Sequence, residues 1–169
     1  MNVLVIVLRL IHILSGVFWA GASLVMFFFI GPTLGATAEA GQKFAQHLIL
    51  KTRFTAIVTG TAFLTVLAGI SLYWIDSDGL SSAWTHSGAG LGFAFGAGFA
   101  LLGLIFGGMV GGTNGALAKL GSEIQGKPTP EQLTQLGVLR KRLSVVSPLN
   151  AYSLLLAILL MAIARYLHF

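Results

Sequence analysis

The chain has 169 residues, of which 56% are hydrophobic and only 9% are charged. Soluble globular domains carry about 25% charged residues, so this composition excludes a soluble domain. The net charge of +5 would suit a nucleic-acid partner in a soluble chain, but in a membrane chain basic residues set orientation. The sequence has no cysteine, which excludes disulfides, cysteine-ligated metals and thiol nucleophiles.

Four stretches of the sequence lack Asp, Glu, Lys and Arg, and each exceeds the roughly 20 residues that cross a bilayer as a helix. They are residues 10–38, 54–75, 79–118 and 143–164. We predict transmembrane helices over roughly residues 3–30, 54–75, 88–112 and 148–167. Short connections account for nearly all other residues. The sequence therefore predicts a single membrane domain, an all-α antiparallel bundle of four transmembrane helices.

The basic residues are concentrated in two of the three connections. Eight of the ten lie between spans one and two or between spans three and four, namely Lys43, Lys51, Arg53, Lys119, Lys127, Arg140, Lys141 and Arg142. The connection between spans two and three carries Asp76 and Asp78 and no cation. By the positive-inside rule, the first and third connections lie in the cytoplasm and both termini lie outside.

Local signals predict how the cytoplasmic segments fold. The pattern after Thr37, a candidate N-cap, predicts an amphipathic helix that passes Lys51 and continues into span two. The sequence Thr129-Pro130-Glu131-Gln132 is typical of a capping box with proline at the first helical position, which begins the helix of span four. Pro148 is expected to kink that helix at the membrane surface.

The first span carries the polar face with the strongest functional signal. His12, Gly16, Trp19 and Ser23 are spaced by four, three and four residues, which places them on one helical face. His12 is the most deeply placed ionisable residue of the predicted spans, and such a residue is by default a functional hypothesis. Imidazole suits haem ligation or proton transfer. A hydrogen bond to a carbonyl of a neighbouring helix is the structural alternative.

Three further polar residues lie toward the outer end of the predicted bundle. Arg9 lies one turn before His12, whereas His86 precedes span three and Arg165 ends span four. The two guanidinium groups suit anionic groups such as haem propionates, and snorkelling to lipid phosphates is the alternative. We predict that these three residues and His12 form a cofactor or small-molecule site with a neutral imidazole, because two nearby cations disfavour its protonation.

Span three carries small residues at spacings of three or four positions, namely Gly88, Gly92, Gly96, Ala100, Gly103, Gly107 and Gly111. Such a stripe lets a second helix approach closely, and a smooth wall also accepts the flat face of a porphyrin or quinone. In span four, the Asn150 amide is expected to hydrogen-bond to a neighbouring helix. The threonines of span two are expected to return their hydroxyls to the preceding turn.

The segment Arg9-Leu10-Ile11-His12-Ile13-Leu14-Ser15-Gly16-Val17-Phe18-Trp19-Ala20-Gly21 resembles the first helix of small membrane proteins grouped around HemJ-type protoporphyrinogen oxidases and the CopD copper-resistance domain. The Lys51-Thr52-Arg53 entry into span two is similar, and the Ala162-Ile163-Ala164-Arg165-Tyr166-Leu167 ending resembles uncharacterised four-helix bacterial members. The resemblance implies a helical bundle that binds haem b and oxidises a porphyrinogen, with His12 as the haem ligand. HemJ-type enzymes carry a lysine after the histidine that begins span three, where this sequence has Ser87 after His86.

These residues and this resemblance predict a membrane-embedded redox protein that binds haem b or handles porphyrins. The predicted cofactor contacts are Arg9, His12, Trp19, His86 and Arg165, with His12 as the iron ligand. If the chain is an enzyme, the resemblance implies an oxidoreductase similar to protoporphyrinogen oxidase. The alternative is a non-catalytic accessory subunit, because the predicted spans contain few polar groups. We expect a bacterial inner-membrane protein in contact with lipid, as a homo-oligomer or in a larger complex, without a nucleic-acid partner.

Overall fold

The computed structural model of the chain describes residues 3–124 and 126–168. All regular structure in these residues is helical. The α-helices are α1 (Val3–Val25), α2 (Gly31–Ala36), α3 (Ala38–Lys51), α4 (Phe54–Asp76), α5 (Ser82–Thr85), α6 (Gly88–Glu123) and α7 (Pro130–Ile163). Four helical stretches are long and apolar enough to cross a membrane, namely Val3–Ala36, Phe54–Asp76, Gly88–Glu123 and Pro130–Tyr166. The predicted all-helical class and the four candidate spans are confirmed.

Three of the four long helical stretches exceed the thickness of a bilayer. The 36 residues of α6 cover about 54 Å at 1.5 Å per residue, against about 30 Å of hydrocarbon. The first stretch and α7 have 34 residues each, whereas the 23 residues of α4 suffice for the hydrocarbon alone. The excess length forms helical extensions, and α3 packs against the α6 extension where Gln46 meets Gly121.

The first span continues past its predicted end at residue 30. Met26–Ile30 forms a π-helical turn in which the Gly31 N–H donates to the Met26 carbonyl, and α2 then runs to Ala36. Pro32 explains this local change, because proline has no N–H to donate and its ring clashes with the carbonyl one turn earlier. The wider π-turn accommodates the proline, so the helix continues through Gly31 and Pro32.

The helix is interrupted between α3 and α4. The prediction of one continuous helix into span two is therefore wrong. Thr52 is extended, with φ −111° and ψ 170°, and its hydroxyl accepts a hydrogen bond from the Phe54 N–H at 3.1 Å. This bond satisfies an amide that has no helical partner at the start of α4. Thr37 occupies the N-cap position of α3, but its hydroxyl donates to the Thr33 carbonyl. Its predicted capping bond is therefore absent.

Helix α7 begins where the sequence predicted. The Thr129 hydroxyl accepts a hydrogen bond from the Gln132 N–H, and the Gln132 side chain accepts one from the Thr129 N–H. This reciprocal pair is the predicted capping box, and it satisfies two amides that lack helical partners. The helix continues through Pro148, so α7 extends from the third connection into the fourth candidate span.

The long helices pack chiefly as two pairs, α1 with α4 and α6 with α7. Smaller contacts of α4 with α6 and of α1 with α7 join the pairs. Trp19, Ala20, Ala62 and Leu154 form a buried cluster in the bundle. Because Trp19 is only 4% exposed, this predicted site residue lies in the hydrophobic core.

The small-residue stripe of α6 forms the contact with α7. A Cβ on Gly103 would lie 2.6 Å from Leu154 Cδ2, and a Cβ on Gly92 would lie 3.0 Å from both Cα and Cβ of Ala164. These distances require glycine, because the neighbouring helix occupies the space of a side chain. Gly111 is an exception, since nothing lies within 4 Å of its Cβ position. The predicted close approach is thus confirmed for the contacting part of the stripe.

Candidate functional site

His12 lies half-buried on the face of α1 that packs against α4, with its Nδ1 2.8 Å from the backbone carbonyl oxygen of Thr65. A carbonyl oxygen only accepts hydrogen bonds, so Nδ1 carries the proton and donates. In the neutral ring, Nε2 then holds the lone pair. No hydrogen bond to Nε2 is present among the residues that the structure describes. The arrangement leaves one nitrogen of His12 able to bind a metal or accept a proton.

A glycine on α4 gives His12 access to the Thr65 carbonyl. Helical carbonyls point toward the residue four positions later, which is Gly69 for Thr65. A Cβ at Gly69 would lie 2.9 Å from Cε1 and 3.1 Å from Nδ1 of His12. Any side chain at this position therefore displaces the ring. Gly16 allows the same close approach one turn later on α1, because its Cβ would lie 3.3 Å from Thr65 Cγ2.

Two buried hydroxyls complete the polar contact between α1 and α4. The Thr65 hydroxyl lies 2.9 Å from Ser15 Oγ and 2.7 Å from the Thr61 carbonyl. Ser15 in turn donates to the Ile11 carbonyl. The predicted return of threonine hydroxyls to the preceding turn is confirmed for Thr61 and Thr65. Thr65 thus contacts α1 through both its carbonyl and its hydroxyl, which holds the two helices in register around His12.

An apolar groove lies near His12 on the surface of the α1–α4 pair. It is lined by Leu4, Leu8, Ile70, Ser71, Trp74 and Ile75. Leu8 lies one helical turn before His12, and Ile70 directly follows Gly69, so the groove begins about one helical turn from His12. Its aliphatic and aromatic side chains suit a flat apolar ring system.

The other predicted polar site residues lie on both helix pairs. Arg9 is exposed, and its Nη2 lies 3.6 Å from Asp76 Oδ2, an ion pair that joins the start of α1 to the end of α4. His86 is exposed between α5 and α6, and Arg165 is exposed in the 3-10 turn that follows α7. The structure therefore places Arg9 with His12 on the α1–α4 pair, and His86 with Arg165 on the α6–α7 pair.

Asn150 is buried in the contact between α6 and α7. It is 5% exposed, and its Oδ1 has no hydrogen-bond partner among the described residues. The atom faces Gly107, whose Cβ would lie 3.3 Å away. The prediction that this amide bonds to a neighbouring helix is therefore wrong for Oδ1. Gly107 lies within α6, where backbone N–H groups already donate to carbonyls of their own helix.

Sequence reasoning did not identify the residues of α4 that position His12. Thr65 and Gly69 hold the imidazole through a carbonyl and through the lack of a side chain. The available signal was the spacing of small residues, with Thr61, Thr65 and Gly69 at four-residue intervals and Gly16 on the facing helix. Small residues at such intervals indicate a close helix contact. The spacing indicates that α4 packs closely on another helix, but it does not show which helix.

Metal chemistry at this site depends on one imidazole. Among the described residues, no group of three His, Asp or Glu side chains is placed to hold a metal ion. A haem needs fewer protein ligands, since one axial histidine is enough to hold its iron in several protein classes. Compared with protein-family models, with curated proteins and with solved structures, the chain matches none of them. Function is therefore inferred from the residues and their geometry.

Proposed function

We propose that the protein binds haem b within the membrane, with His12 as the residue that holds the iron, and that it acts as a redox or porphyrin-handling protein. The observation that carries this proposal is the hydrogen bond from His12 Nδ1 to the Thr65 carbonyl. Metal-ligating histidines almost always donate their other ring N–H to a carbonyl, a carboxylate or water, which fixes the tautomer and raises the basicity of the ligating nitrogen. His12 has this second bond, and Nε2 remains for iron.

The surroundings of His12 fit a porphyrin. The apolar groove near His12 offers aliphatic and aromatic side chains that can contact a porphyrin ring. Trp19 lies on the same face of α1 as His12 and packs in the buried cluster. Arg9 is exposed near the outer end of the groove and supplies a guanidinium group for a propionate. We propose that His86 and Arg165 add polar contacts at that end of the bundle.

Neighbouring residues set the tautomer and the position of the His12 imidazole. Thr65 keeps the proton on Nδ1, and Gly69 lets the ring lie against α4. When bound, haem b supplies one-electron redox chemistry, and its axial ligand and surroundings set the potential. The polar contact between α1 and α4 is thus proposed to serve as the rigid support of a redox centre.

Haem content tests this proposal directly. Protein expressed with ample haem is expected to contain b-type haem, measured per chain as the pyridine haemochrome. His12→Ala is expected to lose most of it and to retain its helical circular dichroism, whereas His47→Ala, at an exposed position of α3, is expected to keep haem. Wild-type protein without haem, or His12→Ala with the wild-type content, would overturn the proposal.

We further infer an antiparallel bundle in a bacterial inner membrane, with both termini outside. Successive contacts run in opposite directions along each helix pair, and these contacts are His12 with Gly69, Gly16 with Thr65, Gly92 with Ala164, and Gly103 with Leu154. Eight of the ten basic residues lie in the first and third connections, which the positive-inside rule assigns to the cytoplasm.

Introduced cysteines test this orientation, because the chain has none of its own. Ala83→Cys lies at an exposed position of α5, and we expect it to react with a membrane-impermeant maleimide added to the outer face. Gln135→Cys is exposed near the start of α7, and we expect it to react only after the membrane is permeabilised. The opposite pattern of labelling would reverse the proposed orientation.

A second candidate function is that of a non-catalytic accessory subunit in a homo-oligomer or larger membrane complex. It is favoured by the shape of the surface, since the grooves on the α1–α4 pair and on α7 are shallow and mainly apolar. Enzyme sites usually combine a concave pocket with several converging polar groups. Wild-type protein that lacks haem would support this second function.

A further inference from the structure

A group of six cations lies near one end of the apolar parts of α4, α6 and α7. Its members, here called the basic collar, are Lys51, Arg53, Lys119, Arg140, Lys141 and Arg142, and all six are exposed. In the described part of the chain, the ion pairs are Arg9 with Asp76 and Lys43 with Glu39. The basic collar therefore has no carboxylate partner within those residues.

The sequence places the basic collar at the ends of the apolar helices. Lys51 ends α3, Arg53 directly precedes α4, and Arg142 directly precedes the uncharged stretch 143–164. Lys119 directly follows the uncharged stretch 79–118. Charged side chains at the ends of apolar helices occupy the polar headgroup layer of a bilayer.

The contact between α3 and α6 brings two of these cations to a similar level. Gln46 of α3 meets Gly121 of α6. From this contact, Lys51 lies five residues toward the membrane and Lys119 lies two residues toward it. At 1.5 Å per residue, these separations are about 7.5 and about 3 Å. The helix positions of Lys51 and Lys119 thus differ in height along the helix axes by about 5 Å.

The contact between α6 and α7 brings Arg142 to within about 6 Å of the level of Lys119. Asn150 of α7 meets Gly107 of α6. Measured away from the membrane, Arg142 lies eight residues and Lys119 lies twelve residues beyond this contact, or about 12 and about 18 Å. The polar layer on each side of a bilayer is about 5–8 Å thick. The levels of Lys51, Lys119 and Arg142 therefore fit within one headgroup layer.

Apolar side chains adjoin the basic collar on its membrane side. Val145 is 55% exposed three residues after Arg142, and Ile57 is 47% exposed four residues after Arg53. A cation next to exposed apolar surface complements a molecule with an anionic head and a hydrocarbon tail. Nucleic acids and acidic proteins offer the anion without the tail.

We propose that the basic collar is a binding surface for anionic phospholipids, which place their phosphates among these cations and their acyl chains along Val145 and Ile57. The partner is the lipid of the surrounding leaflet, because the basic collar lies where that leaflet has its headgroups. The attraction is electrostatic at the surface, so it weakens as salt is added. This surface is separate from the haem site at His12.

Thermal unfolding in a neutral detergent tests the proposal with three probes, namely phosphatidylglycerol, phosphatidylcholine and soluble glycerol phosphate. Phosphatidylglycerol is expected to raise the melting temperature of the wild-type protein, and the effect is expected to decrease with added salt. Phosphatidylcholine and glycerol phosphate are expected to have little effect. Equal shifts with both lipids, a shift that salt does not reduce, or an equal shift with glycerol phosphate would overturn the proposal.

Two double variants, each of which removes two positive charges, locate the binding surface. Arg140→Gln/Arg142→Gln is expected to weaken phosphatidylglycerol binding about 25-fold, since each cation near an anionic surface contributes a factor of about five. Lys43→Gln/Lys127→Gln removes the same charge outside the basic collar, and Lys43 is already paired with Glu39. This control is expected to bind as the wild type does. Equal weakening in both variants would contradict a surface at the basic collar.

Discussion

Gly92→Leu is expected to prevent correct folding of the protein or to lower its melting temperature strongly in detergent. A Cβ at position 92 would lie 3.0 Å from both Cα and Cβ of Ala164, which is 0% exposed. Because a backbone atom limits the space, the leucine cannot be accommodated by a rotamer change and must push the end of α7 away from α6. Overpacking of this kind costs about 1–3 kcal/mol or more. The effect is measured as the midpoint of thermal unfolding and the monodisperse fraction in size-exclusion chromatography.

Gly98→Leu is the matched control on the same helix. Gly98 is exposed, and nothing lies within 4 Å of its Cβ position. The leucine is expected to leave stability unchanged or to raise it slightly, because glycine is about 0.8–1.0 kcal/mol less favourable than alanine in a helix. Equal destabilisation by the two substitutions would contradict the packing of α6 on α7 through the glycine stripe.

Gly69→Ala is expected to weaken haem binding about 10- to 100-fold without unfolding the protein, as is typical for residues that orient a metal ligand. The added Cβ would lie 2.9 Å from Cε1 and 3.1 Å from Nδ1 of His12. The imidazole must move away from α4, and the hydrogen bond to Thr65 is lost or lengthened. The dissociation constant is measured by absorption titration of haem-free protein in detergent.

Gly60→Ala is the control for this substitution, because it adds the same methyl group to α4 where nothing lies within 4 Å. Its haem affinity is expected to equal that of the wild type. Wild-type affinity in Gly69→Ala would show that the Thr65 bond does not position the ligand. Equal weakening in both variants would assign the effect to α4 as a whole.

The limits of the spans were predictable to different degrees. Span two, predicted at 54–75, is α4 at Phe54–Asp76, because charged residues mark both of its ends. The first helical stretch instead runs to Ala36, beyond the predicted end of its span at 30. Hydropathy indicates where the hydrocarbon ends, but helical hydrogen bonding continues beyond it wherever neighbouring helices still pack.

The site was predictable only in part. Periodicity placed His12 and Trp19 on one face of α1, and the structure directs that face toward α4 and the core. A single sequence does not show which helix meets that face, so Thr65 and Gly69 were not identified as partners. Helix rotation and pairing depend on contacts between helices, and those contacts set which groups converge.

The central claim, that His12 Nε2 ligates haem, is tested most directly by chemical rescue of His12→Gly. The variant removes the imidazole side chain and leaves space beside Gly69. We expect no haem to co-elute with this variant in size-exclusion chromatography, and we expect haem with its Soret band to return to the protein peak when free imidazole is added. Haem that co-elutes with His12→Gly before imidazole is added, with the wild-type spectrum, would contradict His12 as the ligand.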